Sequence, residues 1–408
     1  MKVQVIAAGQ THTGVVPGLG VPDQPASPPS TYAGWRPRCV LGADSPGGLA
    51  LPPAHPSAAT MYAPRGVWTD GTRVVAADTG NHRVLLWHRL PETDGTPADV
   101  VLGQLDDHTE GPAAGGRGPS EGMNLPTGVL VHEGRLVVAD AWHHRLLVWD
   151  TLPDATGTPP DHVLGQPDPD QVEPNAGGEP TAASFYWPFG VAVVDGRCYV
   201  ADTGNRRVLV WRDGLPEAGQ PADVVLGQPT PGAREENRGE GVGPASFRWP
   251  HAFASDGAGG VWVADAGNHR LLRWLEHPDV DRPADAVLGQ PDLATGEEFP
   301  YVPQEGRLRF PYGLTATADG IAVADTADNR VLLHPHSATT HDRPSGVLAQ
   351  PTYTANGENR WERVAADTLC WPYGLHWSAA PAVGELLAVA DSGNNRVVLW
   401  ERPVEDEA

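Results

Sequence analysis

The chain has 408 residues and a formal net charge of −23, with 40% hydrophobic residues. A surface this acidic repels phosphate backbones and anionic headgroups, and no local basic run offsets it, so nucleic acid and membrane surfaces are disfavoured as partners. The three cysteines, Cys39, Cys198 and Cys370, are too few and too scattered for a disulfide framework or a Cys-rich zinc site.

Residues 1–36 are Pro-rich and aperiodic. Their opening apolar patch is short and broken by Gly and Gln. It is no secretory core, and no apolar run long enough for a membrane span follows it. A soluble cytoplasmic protein is expected. The domain reading is an N-terminal arm over 1–36, one repeat domain over 37–401 and an acidic tail over 402–408.

A turn of the form Ala-Asp-x-x-Asn-x-Arg, followed by an apolar strand, recurs with its Asp at Asp78, Asp140, Asp202, Asp265, Asp325 and Asp391. The spacings are 62, 62, 63, 60 and 66 residues. A fixed period means one supersecondary unit stacked on copies of itself. The 48 glycines and 42 prolines fall at fixed places in each unit, so they act as turn punctuation.

Residues 188–228 show one unit. Pro188–Val194 is an apolar run opened by Pro, which fits an innermost strand. Asp195-Gly196 signals a hairpin. Arg197–Ala201 and Arg207–Trp211 are the next two strands, joined by the Asp202–Asn205 turn. A Gly/Pro-rich loop leads to the fourth, Asp223–Gln228. Four short antiparallel strands make a propeller blade.

Fourth strands recur at Val101–Gln104, Val163–Gln166, Val225–Gln228, Val287–Gln290 and Val347–Gln350. A sixth, Cys39–Gly42, precedes the first inner strand, and the last blade ends at its third strand, Arg396–Trp400. The N-terminal strand is therefore expected to complete the last blade and leave no exposed sheet edge. The fold class is an all-β six-bladed propeller.

The strings ADTGNHRVLLW (77–87), ADTGNRRVLVW (201–211), ADAGNHRLLRW (264–274) and ADSGNNRVVLW (390–400) resemble NHL repeats, the units of six-bladed propellers. The resemblance covers about residues 37–401. The period is longer than is usual in that family. The excess lies between the Gln of each fourth strand and the next Pro: Gln104 to Pro126, Gln166 to Pro188, Gln228 to Pro250 and Gln350 to Pro372 are each 22 residues apart. A loop copied at constant length is ordered, and an apolar residue three before the Pro (Met61, Met123, Phe185, Phe247, Leu308, Leu369) is expected to anchor it.

The long loops and Asp turns share one face of a propeller. Before each strand-opening Pro stand Ala63, Leu125, Trp187, Trp249, Phe310 and Trp371; after it stand Arg65, Thr127, Phe189, His251, Tyr312 and Tyr373. This column pair reads either as wedges between blades or as an aromatic surface for a peptide side chain or a small planar ligand. Trp142-His143-His144 replaces the plain turn of the other blades, so Trp142 joins Arg65, Trp187, Phe189, Trp249, His251, Phe310, Tyr312, Trp371 and Tyr373 as a candidate contact residue. The repeated Asp and Arg read as structural, because a catalytic group has no need of six copies.

For metals the candidates are His251, near the axis, and the His334, His336, His341 cluster. Asp168, Asp170, Asp292, Glu297 and Glu298 lack the regular spacing of a calcium loop. No phosphate loop, dinucleotide fingerprint or hydrolase motif is present. The leading expectation is a non-enzymatic scaffold that binds a protein or peptide through the long-loop face. The first alternative, implied by the resemblance, is a metal-dependent lyase or hydrolase with zinc or calcium on the axis. The second, also by resemblance, is an accessory protein of a bacterial metalloenzyme assembly system.

Overall fold

The computed structural model describes residues 32–43, 55–298, 305–339 and 342–403. Within them, six four-stranded antiparallel sheets follow one another. Blade three, for example, consists of Pro188–Val194, Arg197–Asp202, Arg207–Trp211 and Val224–Leu226. In five blades the strand order is the chain order. Blade six consists of Pro372–Ala380, Gly384–Asp391 and Arg396–Arg402, completed by Arg36–Leu41 from the N-terminal side. Val40 lies opposite Val398 and Arg36 opposite Glu401. The ring closes non-covalently, as the strand count predicts. Packing starts before that strand, because Tyr32 and Trp35 are buried and the Tyr32 ring meets Trp400 edge-on at 5.7 Å. No helix among the described residues is long and apolar enough to cross a membrane.

The repeated Asp does more than cap a turn. In blade one, Asp78 Oδ1 accepts the Tyr62 N–H at 2.7 Å from the incoming long loop. Its Oδ2 accepts Asn81 Nδ2 at 2.9 Å and Arg83 Nε at 2.7 Å. Arg83 then donates to the carbonyls of Ser57 and Thr60, at 2.8 and 2.9 Å, and of Asp107, at 2.8 Å. Both side chains are fully buried. One ion pair thus pins the blade's turn, the loop entering it and the loop leaving it. The pair recurs at Asp140–Arg145, Asp202–Arg207, Asp265–Arg270, Asp325–Arg330 and Asp391–Arg396. The left-handed residue of the turn is the one after the Asn position, such as His82 at φ 56°, rather than the Gly or Asn itself.

The loops are ordered by the same repetition. Met61, Met123, Phe185, Phe247, Leu308 and Leu369 are all buried, as their spacing predicts. Most sit on the glycine that ends a fourth strand. A Cβ on Gly165 would lie 2.1 Å from the Phe185 ring, and the φ of +89° at Gly165 turns the chain away there. That turn is why the fourth strands stop at Leu102, Leu164, Leu226, Leu288 and Leu348, two residues short of the Gln. The Gln is then free to bridge: Gln104 Nε2 donates to the carbonyls of Asn81 at 3.1 Å and Gly111 at 2.9 Å.

Two outcomes follow from this architecture. Deleting residues 1–43 removes the closing strand and exposes two sheet edges, so aggregation or a large fall in melting temperature is expected, while deleting 1–30 is mild. A stable monomer of 44–408 in size-exclusion chromatography would contradict closure. Asp202→Ala leaves Arg207 as an unpaired buried charge and should cost about 3–5 kcal/mol in chemical denaturation, well above the loss of a surface turn bond.

Candidate functional site at the propeller axis and long-loop face

The inner strands enter the axis so closely that side chains are excluded from their third position. A Cβ on Gly66 would lie 1.8 Å from the Thr127 carbonyl, one on Gly190 1.9 Å from that of His251, and one on Gly313 2.0 Å from that of Tyr373. Blade four carries Ala252 at this position. The residues just before these, one per blade, therefore turn toward the axis together. Tyr312 and Tyr373 stack at 4.6 Å and 3°. His251 lies 4.1 Å from the Phe189 ring and 4.5 Å from Tyr312. Phe189 reaches across to Tyr373 of the opposite blade at 6.4 Å. The Arg65 guanidinium sits 5.0 Å over Tyr373. Together they form a plug at the long-loop end of the axis.

Below the plug a cavity of about 320 Å³ follows the inner strands toward the opposite face, with Arg65, Phe189, His251 and Tyr312 at one end and Val194, Asp195, Ser255 and Ala316 at the other. The His251 Nδ1–H is held by the Trp249 carbonyl at 2.8 Å. Burial, which outweighs that bond, lowers the His251 pKa to about 3 and keeps the ring neutral.

Adjacent blades are latched through the left-handed turn residue. The side chains of His82, His144 and His269 accept, through Nδ1, the backbone N–H of Leu125, Trp187 and Phe310 in the next blade at 3.1, 3.0 and 3.2 Å. Asn329 and Asn395 do the same through Oδ1 for Trp371 and Ala63, both at 2.9 Å. The five latched residues all have φ between 47 and 53°. Blade three carries Arg206 at the latch position, and Arg206 bonds to the carbonyls of Gly204 and Arg234 instead. Trp249, its counterpart in blade four, is the one member of its column without a positive φ.

The segment from Phe247 to Trp274, which holds the inner strand, turn and third strand of blade four, matches a family model described as NHL repeat. The same turn and ion pair recur in the other five blades. The chain carries an NHL repeat within a six-bladed β-propeller. Among curated proteins it is similar to NHL repeat-containing protein 2 of Homo sapiens, 31% identical over 166 residues, covering 38% of this chain and 21% of that protein. It is also similar to NHL repeat-containing protein 3 of Mus musculus, 36% identical over 110 residues, covering 26% and 27%. The match thus spans about a quarter or less of the length of these relatives. Solved structures that superpose on it include the WD40 beta propeller domain of Doa1 (12% identity, 92% of this chain and 99% of that chain, TM-score 0.45) and a streptogramin B lyase (11%, 91% and 99%, 0.43).

In this six-bladed propeller the candidate contact residues divide into two groups. Phe189 and His251 are interior, at 5% and 3% exposure, and Arg65, Tyr312 and Tyr373 are half-buried with them in the plug. Trp142 and Trp371 are exposed on the long-loop face, while Trp187, Trp249 and Phe310 are half-buried beside them. Trp142 meets Trp187 edge-on at 6.2 Å, and Trp249 stacks on Phe310 at 6.3 Å with the Arg248 guanidinium 4.8 Å above it. The loops add Tyr62, Tyr186 and Trp361 to the exposed set. Spacing alone missed these three, because they stand outside the two columns read from the Pro. The motif Trp142-His143-His144 splits three ways: Trp142 faces solvent, His143 replaces the usual Asn against Asp140 at 2.9 Å, and His144 is a latch.

For a metal, no group of three His, Cys, Asp or Glu side chains comes together among the described residues. His334 is buried in the column otherwise held by Trp87, Trp149, Trp211, Trp274 and Trp400. Neither of its ring nitrogens has a hydrogen-bond partner. His336 packs against Gly257 of blade four, and His341 lies outside the described residues. Blade five holds one extra buried carboxylate, Asp328, which takes the Asn position and shares Arg330 with Asp325 while bonding Arg309 at 3.1 Å.

The latches carry a pH signature. Burial lowers the His144 and His269 pKa values to about 4 and depresses that of His82. Each ring must stay neutral to accept its N–H. The unfolded state binds the protons first, so the latch contribution is complete above about pH 6.5 and is lost as pH falls toward 4. Buried His251, His334 and His376 are also depressed by burial and add to the slope. His144→Asn with His269→Asn substitutes the latch that blades five and six already use. Melting curves between pH 7 and 4 should show near-wild-type stability at pH 7 and a shallower, still present decline below 6.5. An unchanged slope would rule out the latch as its source.

Proposed function

We propose that this NHL-repeat propeller is a non-enzymatic scaffold that docks a protein or peptide on its long-loop face. The observation that carries the reading is the distribution of exposed aromatics. Tyr62, Trp142, Tyr186, Trp361 and Trp371 are the exposed aromatic side chains among the described residues, and all five belong to long loops or Asp turns. Tryptophan and tyrosine are the usual energetic anchors of interfaces.

The supporting chemistry is preorganisation. The Asp–Arg pairs, the Gln bridges and the apolar anchors hold these loops before a partner arrives, so little ordering entropy is lost on binding. The net charge of −23 favours a partner with a basic or neutral contact surface, whose association slows as salt rises.

The test pairs Trp142→Ala/Trp371→Ala with Leu275→Ala, an exposed apolar residue on the opposite face. Partners captured by the full chain should bind the first variant at least tenfold more weakly, equivalent to about 1.4 kcal/mol or more, and bind the control unchanged. Loss with the control alone would place docking on the other face and refute the reading.

A further inference from the structure

Beside the axis stands a half-buried cation, Arg65, with no counter-charge among the described residues. Arg65 lines the inner end of the axial cavity. No ion pair or side-chain hydrogen bond of Arg65 exists among the described residues, and its Nε is buried without a partner. Its one compensation is the Tyr373 face at 5.0 Å. A ring face offers electrostatic attraction but no lone pairs for the five N–H donors of a guanidinium. The contrast with the rest of the molecule is sharp. Arg83, a fully buried cation, satisfies a carboxylate and three carbonyls. Arg273, on the third strand of blade four, is paired with Asp256 at 2.9 Å. A buried guanidinium nitrogen left unpaired at the wall of a cavity calls for a partner from outside the chain.

The surroundings define that partner. From Arg65 the cavity runs down an apolar barrel formed by inner-strand residues such as Val67, Leu130, Val191, Phe253 and Leu314. Its volume of about 320 Å³ is at the small end of ligand sites. His251 cannot supply a second cation or a donor through Nδ1, which is committed to the Trp249 carbonyl. Thr127 Oγ1 is likewise committed to the Phe189 carbonyl at 2.8 Å. At the far mouth stands a carboxylate, Asp195, held by His277 at 3.0 Å and Ser255 at 3.3 Å. An anion is therefore repelled at the mouth and attracted at the inner end. Distant surface charges are screened within about 8–10 Å at physiological salt, so the local cation decides the field inside.

We infer that the axial channel binds a small apolar monocarboxylic acid, its carboxylate paired with Arg65 beneath the aromatic plug and its apolar body extended along the inner strands toward the mouth. This site is separate from the long-loop face and is reached from the opposite side of the disc.

The test uses the full chain at pH 7.5 and three probes of one length: octanoate, 1-octanol and octylamine. Calorimetry and melting curves should show octanoate binding with one-to-one stoichiometry and raising the melting temperature, 1-octanol binding at least tenfold more weakly, and octylamine not binding. Arg65→Gln should weaken octanoate at least tenfold and leave 1-octanol unchanged. Trp142→Ala/Trp371→Ala should bind octanoate as the wild type does, so the two sites fail or succeed separately. The inference is overturned if wild-type protein binds octanoate no more tightly than 1-octanol, a comparison that needs no variant to fold. It is equally overturned if folded Arg65→Gln binds octanoate undiminished.

Discussion

The buried Asp–Arg pair is the interaction on which the rest of this propeller depends. A charge pair taken wholly out of water is a poor source of net stability, because desolvation offsets most of its attraction. Here each member spends its remaining capacity on backbone groups of the adjoining loops. Asp78 satisfies a loop N–H, and Arg83 satisfies three loop carbonyls. The pair therefore specifies geometry: the turn, the incoming loop and the outgoing loop cannot move independently. Repetition in every blade makes one whole face of the disc rigid, although that face is built almost entirely from loops.

The second constraint is radial. Six inner strands crowd one axis, and their closest approach admits a bare glycine in all but blade four. Residues one position earlier have nowhere to go but inward, where they close the axis with a stack of rings and one guanidinium. That closure divides the molecule into two environments. The long-loop side is a surface rich in exposed tryptophan and tyrosine. The other side opens into a narrow apolar channel with a cation at its end. A ligand in the channel and a partner on the loops would not meet.

Departures from the repeat concentrate where the ring is least symmetric. Arg206 cannot act as a latch acceptor, and the neighbouring Trp249 takes a backbone conformation that its five counterparts do not share. His251 bonds the Trp249 carbonyl within blade four, so the blade three to blade four junction lacks the turn-residue latch that the other described junctions share. Blade five substitutes Asp328 for the Asn and His334 for the Trp, and both are buried. These positions are not explained by the stability of the repeat alone.

What the sequence determined by itself was everything governed by local period: the number of blades, the closing N-terminal strand opposite Val397–Glu401, the buried loop anchors from Met61 to Leu369 and the structural character of the repeated Asp and Arg. These follow from spacing along the chain, and a repeat writes its spacing six times. The tertiary structure alone decided what happens between repeats. The columns beside the Pro gave no sign that Phe189 and His251 close the axis while Trp142 and Trp371 stay in solvent. That difference depends on how six strands converge, a distance set by residues about sixty positions apart. The role of His82, His144 and His269 was hidden for the same reason, since each accepts its hydrogen bond from a backbone N–H in the next blade. Likewise, that Arg65 has no ion pair among the described residues is visible only once their carboxylates have been placed in space.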